Sequence, residues 1–220
     1  MRITDIDYTL YLVTDRKLSR GRTTYEIVKA AIQGGVTCIQ LREKECSTRE
    51  FLREALAIRD YLQKSRIPLI INDRIDVAMA VKADGVHLGR NDLPLKIARK
   101  MVMKSMIIGI SAESVEDAVE AEKGGADYVS ASPVFSTPTK PDAALPLGLI
   151  GVRKIREAVT IPLVGIGGIN CSNLAAVIQN GADGIAVVSA IVAADDPEKE
   201  AVKLKQAILK TKYAAPERDR

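Results

Sequence analysis

The sequence predicts an α/β chain folded as one (β/α)8 barrel, and three observations carry that prediction. Eight short runs rich in aliphatic and β-branched residues alternate with longer stretches of helical periodicity along the 220 residues. Those eight runs are almost continuously apolar, the pattern of parallel strands buried on both faces. No composition break, long linker or low-complexity segment divides the chain, so the eight strand–helix units read as one closed sheet in a single domain, 1–220. A doubly wound sheet would need a reversal of strand order, which a sequence does not display.

The elements follow in order. TLYLVT (9–14) is the first strand, and TTYEIVKAAIQGG after it has apolar residues at helix spacing and a glycine stop. VTCIQLR (36–42) is the second. Its helix, STREFLREALAIRDYLQKS, opens with a serine cap and has Glu50 three residues later, a capping box. PLIIN (68–72), ADGVHL (83–88) and MIIGIS (106–111) are strands three to five. SVEDAVEAEKGG then offers Ser114 as its cap. ADYVSAS (126–132), IPLVGIG (161–167) and DGIAVVS (183–189) complete the set, with CSNLAAVIQNGA as a further capped helix. Three helix exits, GGVT (34–37), GGAD (124–127) and NGAD (180–183), carry glycine where a left-handed C-cap is needed. The longest irregular stretch is PVFSTPTKPDAALPLG after strand six, and loops of that length are usually functional. Residues 212–220 are expected to fray.

Composition excludes several classes. Hydrophobic residues make up 47% and charged residues 27%, ordinary for a globular protein. No stretch approaches the ~20 apolar residues of a membrane span. The N-terminus has acidic residues where a secretory signal would be apolar, so a cytoplasmic protein without a membrane partner is expected. Cys38, Cys46 and Cys171 form no CxxC pair and there is one histidine, His87, which argues against zinc and against a disulfide framework. Lone in an apolar run, His87 reads as a packed, hydrogen-bonded core residue. The net charge is +4, part of it in KLKQAILKTKY, which reads as a solvated helix face. With two Phe, six Tyr and no Trp there are few platforms for stacking bases, so nucleic acid is not an expected partner. Homo-oligomerisation is left open.

In parallel barrels the reactive groups lie at the C-terminal strand ends and in the loops that follow. Strand two ends Gln40-Leu41-Arg42-Glu43-Lys44, and alternation puts Gln40 and Arg42 on one side. Arg42 and Lys44 this close call for an anion between them, or for Glu43 and Glu45 as surface partners. Strand three ends Asn72-Asp73-Arg74, and strand four leads to Asp92. Two carboxylates from adjacent strand ends can share one Mg²⁺. By themselves they could equally be a helix cap at Asp92 and an ion pair of Asp73 with Arg74. Ser111 ends strand five, and no partner for a nucleophilic triad is evident. Thr137, Thr139 and Lys140 after strand six suit phosphate oxygens. Gly167 and Gly168 at the end of strand seven, with Val188 and Ser189 at the end of strand eight, lie where barrels often hold phosphate. One anion site for a metal-bound diphosphate and a second for a monophosphate account for the set.

The segments LYLVTDR, IQLREK, LIINDRIDVAMAVKADGVHLG, NDLP, IIGISA, GADYVSASPVFSTPTK, IPLVGIGGI and GADGIAVVSAI, from about residue 9 to 194, together resemble the thiamine-phosphate synthase family. The resemblance implies condensation of 4-amino-2-methyl-5-hydroxymethylpyrimidine diphosphate with 4-methyl-5-(2-phosphoethyl)thiazole, giving thiamine monophosphate and diphosphate. It implies two small phosphorylated substrates and Mg²⁺ as cofactor. By matching segment, Gln40, Arg42, Lys44, Asn72, Ser111 and Lys140 would contact the pyrimidine diphosphate. Of these Arg42, Lys44, Ser111 and Lys140 would serve catalysis. Asp73 and Asp92 would hold the metal, and Thr137, Thr139, Gly168, Val188 and Ser189 the thiazole phosphate. The chain departs from the family pattern at Ser130 and Ser132, where a GVGP-like stretch is common, and at Glu113, where histidine is common. A thiazole tautomerase-like isomerase on the same barrel is the nearest alternative, and a non-catalytic binder of thiazole or thiamine phosphate the next. The retained Arg42, Lys44, Asn72, Asp73, Asp92 and Lys140 favour the transferase.

Overall fold

A strand that is apolar on both faces needs cover on each side, and a ring of parallel strands wrapped in helices supplies both. The computed structural model describes residues 6–139 and 144–214. Its strands are β1 (Leu10–Val13), β2 (Cys38–Leu41), β3 (Leu69–Asn72), β4 (Gly85–Leu88), β5 (Ile107–Ala112), β6 (Tyr128–Ala131), β7 (Leu163–Ile166) and β8 (Gly184–Val187). They pair in parallel in chain order, and β8 closes on β1. The helices are α1 (Thr24–Gln33), α2 (Thr48–Leu62), α3 (Ile75–Val81), α4 (Leu95–Met101), α5 (Val115–Lys123), α6 (Gly148–Ala158), α7 (Leu174–Gln179), α8 (Ser189–Val192) and α9 (Pro197–Ala214). The expected single barrel is the one found. Every strand lies within its predicted run except β5, which goes one residue further, to Ala112.

Alternation divides each strand between two cores. Leu10, Leu12, Ile39, Leu41, Leu69 and Ile71 face outward and pack with Ile27, Phe51, Ile58 and Val81 from the helices. Tyr11, Val13, Cys38, Ile70, Tyr128 and Val164 face the barrel axis and fill it. Full burial of such side chains is worth about 1.5–3 kcal/mol each, before the entropy of ordering them is counted.

Local signals set the helix ends. Ser47 with Glu50, and Thr23 with Glu26, form capping boxes, and Ser114 Oγ accepts the Asp117 N–H at 3.0 Å. At the three glycine exits the left-handed residue is the second of each pair: Gly35, Gly125 and Gly181 have φ of +96°, +86° and +108°. The stretch 171–182 departs from the cap logic. It gives the short α7, begun at Asn173 without a side-chain cap. The Asn173 side chain is spent elsewhere, donating to the Gly168 carbonyl at 2.9 Å and accepting the Asn170 N–H at 2.9 Å.

The end opposite the mouth is stapled by a repeated device. Thr37, Asp84, Asp127 and Asp183 stand just before β2, β4, β6 and β8. Each side chain accepts the N–H of Leu10, Leu69, Ile108 or Leu163 at the start of the preceding strand, at 2.7–3.0 Å. The basic C-terminal segment is only partly a solvated face. Lys212 Nζ donates to the Asp183 carbonyl at 2.6 Å and to Thr9 Oγ1 at 3.3 Å, tying α9 to the barrel floor. Lys212–Ala214 continue α9, and residues 215–220 lie outside the described residues. Among the described residues no helix is long and apolar enough to cross a membrane, and all three cysteines are free.

Candidate active site at the mouth of the barrel

The C-terminal strand ends surround a cavity of about 520 Å³, within the range of small-molecule sites. Gln40, Arg42, Lys44, Asn72, Asp73 and Asp92 line one side of it, Ser111 the next, and Thr137, Thr139, Gly168, Val188 and Ser189 the other. Every site residue expected from the sequence thus meets in one mouth, apart from Lys140, which lies outside the described residues.

The acidic pair is built by two bends. Asp73 leaves β3 with φ of +59°, a left-handed conformation that a non-glycine residue rarely adopts. Its N–H goes to the His87 carbonyl at 2.8 Å, which pins the turn. Asp92 is held by the Gly89 N–H, which donates to Oδ2 at 2.7 Å. It does not cap α4, whose N-cap is Pro94 and which has no side-chain cap. Arg74 pairs with Asp76, not with Asp73.

The two carboxyl groups hydrogen-bond to each other, and their pKa values part. Burial opposes charge on Asp73, yet the bonds from Asp92 and from the Lys44 ammonium hold it below the ordinary range. Burial, followed by the contact with Asp73, raises Asp92. Two carboxylates this close repel each other when both are charged. A hard cation between them offsets that repulsion, with phosphate oxygens and water completing its shell. No group of three or more His, Cys, Asp or Glu side chains suited to a metal occurs among the described residues. The donor set therefore fits Mg²⁺ shared with a ligand and not an all-protein metal cage.

The cations are held from behind. Arg42 Nη1 donates to Asp15 Oδ2 at 2.8 Å, and Lys44 pairs with Asp73. Glu43 and Glu45, the alternative partners, are taken by Arg16 and Lys17 of the β1–α1 loop. Three consecutive residues, Asp15 to Lys17, thus clamp the loop that carries Arg42 and Lys44. Across the mouth, Gly168 has φ of +64°, and a Cβ there would lie 2.6 Å from the Ser136 carbonyl oxygen. Glycine at this position lets the β7 loop lie flat on the loop after β6 and leaves backbone N–H groups for an anion. Val188 and Ser189 open the short turn α8 beside it.

His87 is buried and hydrogen-bonded, as expected for a packed residue, but it also lines the cavity. Its Nε2 lies 2.9 Å from Ser111 Oγ and its Nδ1 2.8 Å from the Tyr128 hydroxyl. Sequence reasoning missed Tyr11 and Tyr128, which read as ordinary strand residues. It also missed Arg90, which lines the mouth and reaches Glu113 at 3.4 Å. Of the departures from the family pattern, Ser130 is buried, and all three of Glu113, Ser130 and Ser132 line the cavity.

Comparison with known proteins bears on this geometry. The family model described as thiamine monophosphate synthase matches residues 10–191. A thiamine-phosphate synthase of Chloroflexus aurantiacus is 50% identical over 210 residues, 96% of this chain and 97% of the relative. One from Syntrophomonas wolfei is 53% identical over 200 residues, covering 91% and 96%. The solved thiamine phosphate pyrophosphorylase of Pyrococcus furiosus superposes with a TM-score of 0.87 at 42% identity, over 93% of this chain and 97% of that one. With identity of this order spanning every strand end that lines the mouth, the chain belongs to the thiamine monophosphate synthase family, transferases of thiamine biosynthesis.

Proposed function

We propose that this chain joins 4-amino-2-methyl-5-hydroxymethylpyrimidine diphosphate to 4-methyl-5-(2-phosphoethyl)thiazole, releasing diphosphate and thiamine monophosphate. The observation that carries the reading is the pairing of two carboxylates with Arg42 and Lys44 on one side of a mouth whose other side is a glycine-lined loop. The first side takes the diphosphate, with Gln40, Asn72 and Ser111 around the pyrimidine and Lys140 as a further cation. The second side takes the thiazole phosphate at Thr137, Thr139, Gly168, Val188 and Ser189.

The pyrimidine methylene–oxygen bond breaks ahead of attack, so the barrier is chiefly separation of charge. Arg42, Lys44 and Lys140 stabilise the departing diphosphate as fixed cations, which need no reorganisation when charge develops. Asp73 and Asp92 would hold Mg²⁺, which supplies further positive charge to the diphosphate oxygens when bound. The thiazole phosphate anchor holds the ring nitrogen within reach of the methylene carbon, turning a bimolecular encounter into a local one. No side chain forms a covalent bond to either substrate, in keeping with the lack of an activated nucleophile among the described mouth residues. A cytoplasmic location suits such a biosynthetic role.

The test is turnover. Protein incubated with both substrates and Mg²⁺ is expected to yield thiamine monophosphate and diphosphate in equal amounts and to stop when the metal is chelated. Isomerisation of a thiazole without release of diphosphate would replace this reading with the tautomerase one.

A further inference from the structure

The barrel interior carries an unbroken run of hydrogen bonds from one side of the mouth to another. Gln40 Nε2 donates to the Tyr11 hydroxyl at 2.9 Å, and the Tyr11 and Tyr128 hydroxyls are 2.9 Å apart. Tyr128 reaches His87 Nδ1 at 2.8 Å, and His87 Nε2 reaches Ser111 Oγ at 2.9 Å. Both phenol rings are fully buried, and Gln40 and His87 nearly so. The path is built for: β5 places Gly109 opposite Tyr128, and any side chain at 109 would collide with the phenol ring.

Proton counting gives the run a direction. A phenol has one proton. Tyr11 accepts the Gln40 amide, and with its own proton passed to Tyr128 the run continues in the same sense. The Tyr128 proton then goes to His87 Nδ1, which must present a lone pair. The ring proton therefore sits on Nε2 and is donated to Ser111 Oγ. Ser111 accepts from behind, so its hydroxyl proton is left to point into the cavity. Burial, the largest effect on both tyrosines, drives their pKa far upward and keeps the phenols neutral donors.

We propose that Tyr128 is a positioning residue that fixes the Nε2–H tautomer of His87 and thereby makes Ser111 a hydrogen-bond donor to an acceptor atom of the diphosphate substrate. The assignment rests on the functional reading of the mouth, while the tautomer itself does not. The opposite run, from Ser111 back to Gln40, needs the Gln40 amide turned over and would leave Ser111 donating to histidine instead of to a ligand.

His87 is the one histidine in the chain, so ¹⁵N-histidine labelling reads it without assignment. At pH 7.5 the wild-type protein is expected to show a protonated Nε2 and an unprotonated Nδ1. Tyr128→Phe removes the donor to Nδ1, so the Nδ1–H tautomer should appear. The kcat should then fall about tenfold, the equivalent of one hydrogen bond, with KM for the thiazole phosphate unchanged. Tyr11→Phe leaves Tyr128 its proton and should keep the Nε2–H tautomer. A wild-type Nδ1–H tautomer or an imidazolium at that pH would overturn the proposal, as would a Tyr128→Phe protein with unaltered tautomer and kcat. A wild-type protein that makes no thiamine phosphate would remove the functional reading and leave the tautomer result standing.

Discussion

Glu43 stands in sequence between the two cations of the mouth but does not line it. Its side chain is 5% exposed, and Oε1 has no hydrogen-bond partner among the described residues. Burial, then the neighbouring Glu54, pushes its carboxyl up to about 7 from an ordinary 4.5. A carboxyl whose folded pKa exceeds its unfolded one favours the fold fully only while protonated, below about pH 4.5, and that contribution is lost as pH rises through 7. The loss is on the order of 3 kcal/mol at most. Glu43→Gln keeps the shape without the charge. Its melting temperature is therefore expected to gain several degrees on the wild type between pH 5 and pH 8, measured by calorimetry, whereas parallel curves would refute the assignment. Position along the strands made Gln40, Arg42, Asp73 and Asp92 legible in the sequence, because C-terminal strand ends converge in any such barrel. Glu43 and Tyr128 were not legible. Nothing local distinguishes a buried glutamate from a solvated one, or a tyrosine in a hydrogen-bond chain from one in plain packing.

Helices and turns were legible to the extent that their signals are local. Serine or threonine followed by glutamate at the third position gave the two capping boxes, and Gly-Gly or Asn-Gly pairs gave the exits. The start of α7 was not, because Asn173 is drawn to Gly168 across a turn that only the folded β7 loop creates. The staples at the floor were not legible, although the recurring Ala-Asp was plain, since their partners lie 15–27 residues away in the chain. Asp127 shows what they do: its Oδ2 accepts the Ile108 N–H at 2.7 Å and an ion pair from Arg99. Asp127→Ala leaves that N–H unpaired at a strand start and is expected to cost about 2 kcal/mol in denaturant unfolding. Turnover at saturating substrate should be unchanged, as the chemistry is at the other end of the barrel. A large loss of kcat without loss of stability would contradict this division of the molecule.

At the scale of the whole molecule, eight apolar runs in 220 residues leave little choice of architecture, since each needs cover on two faces. Closure then does what no segment does alone. It brings the acids of β3 and β4, the cations after β2 and the glycines after β7 to one rim, while Asp15 to Lys17 brace the cationic loop from outside. Joining two phosphorylated rings in this mouth requires two anion sites with separate residues. Calorimetry of Asp73→Ala with each substrate in turn tests that separation most directly. The variant is expected to lose Mg²⁺-dependent affinity for the pyrimidine diphosphate by about a hundredfold and to bind the thiazole phosphate as the wild type does. Equal weakening of both ligands, or unchanged Mg²⁺ dependence, would contradict it.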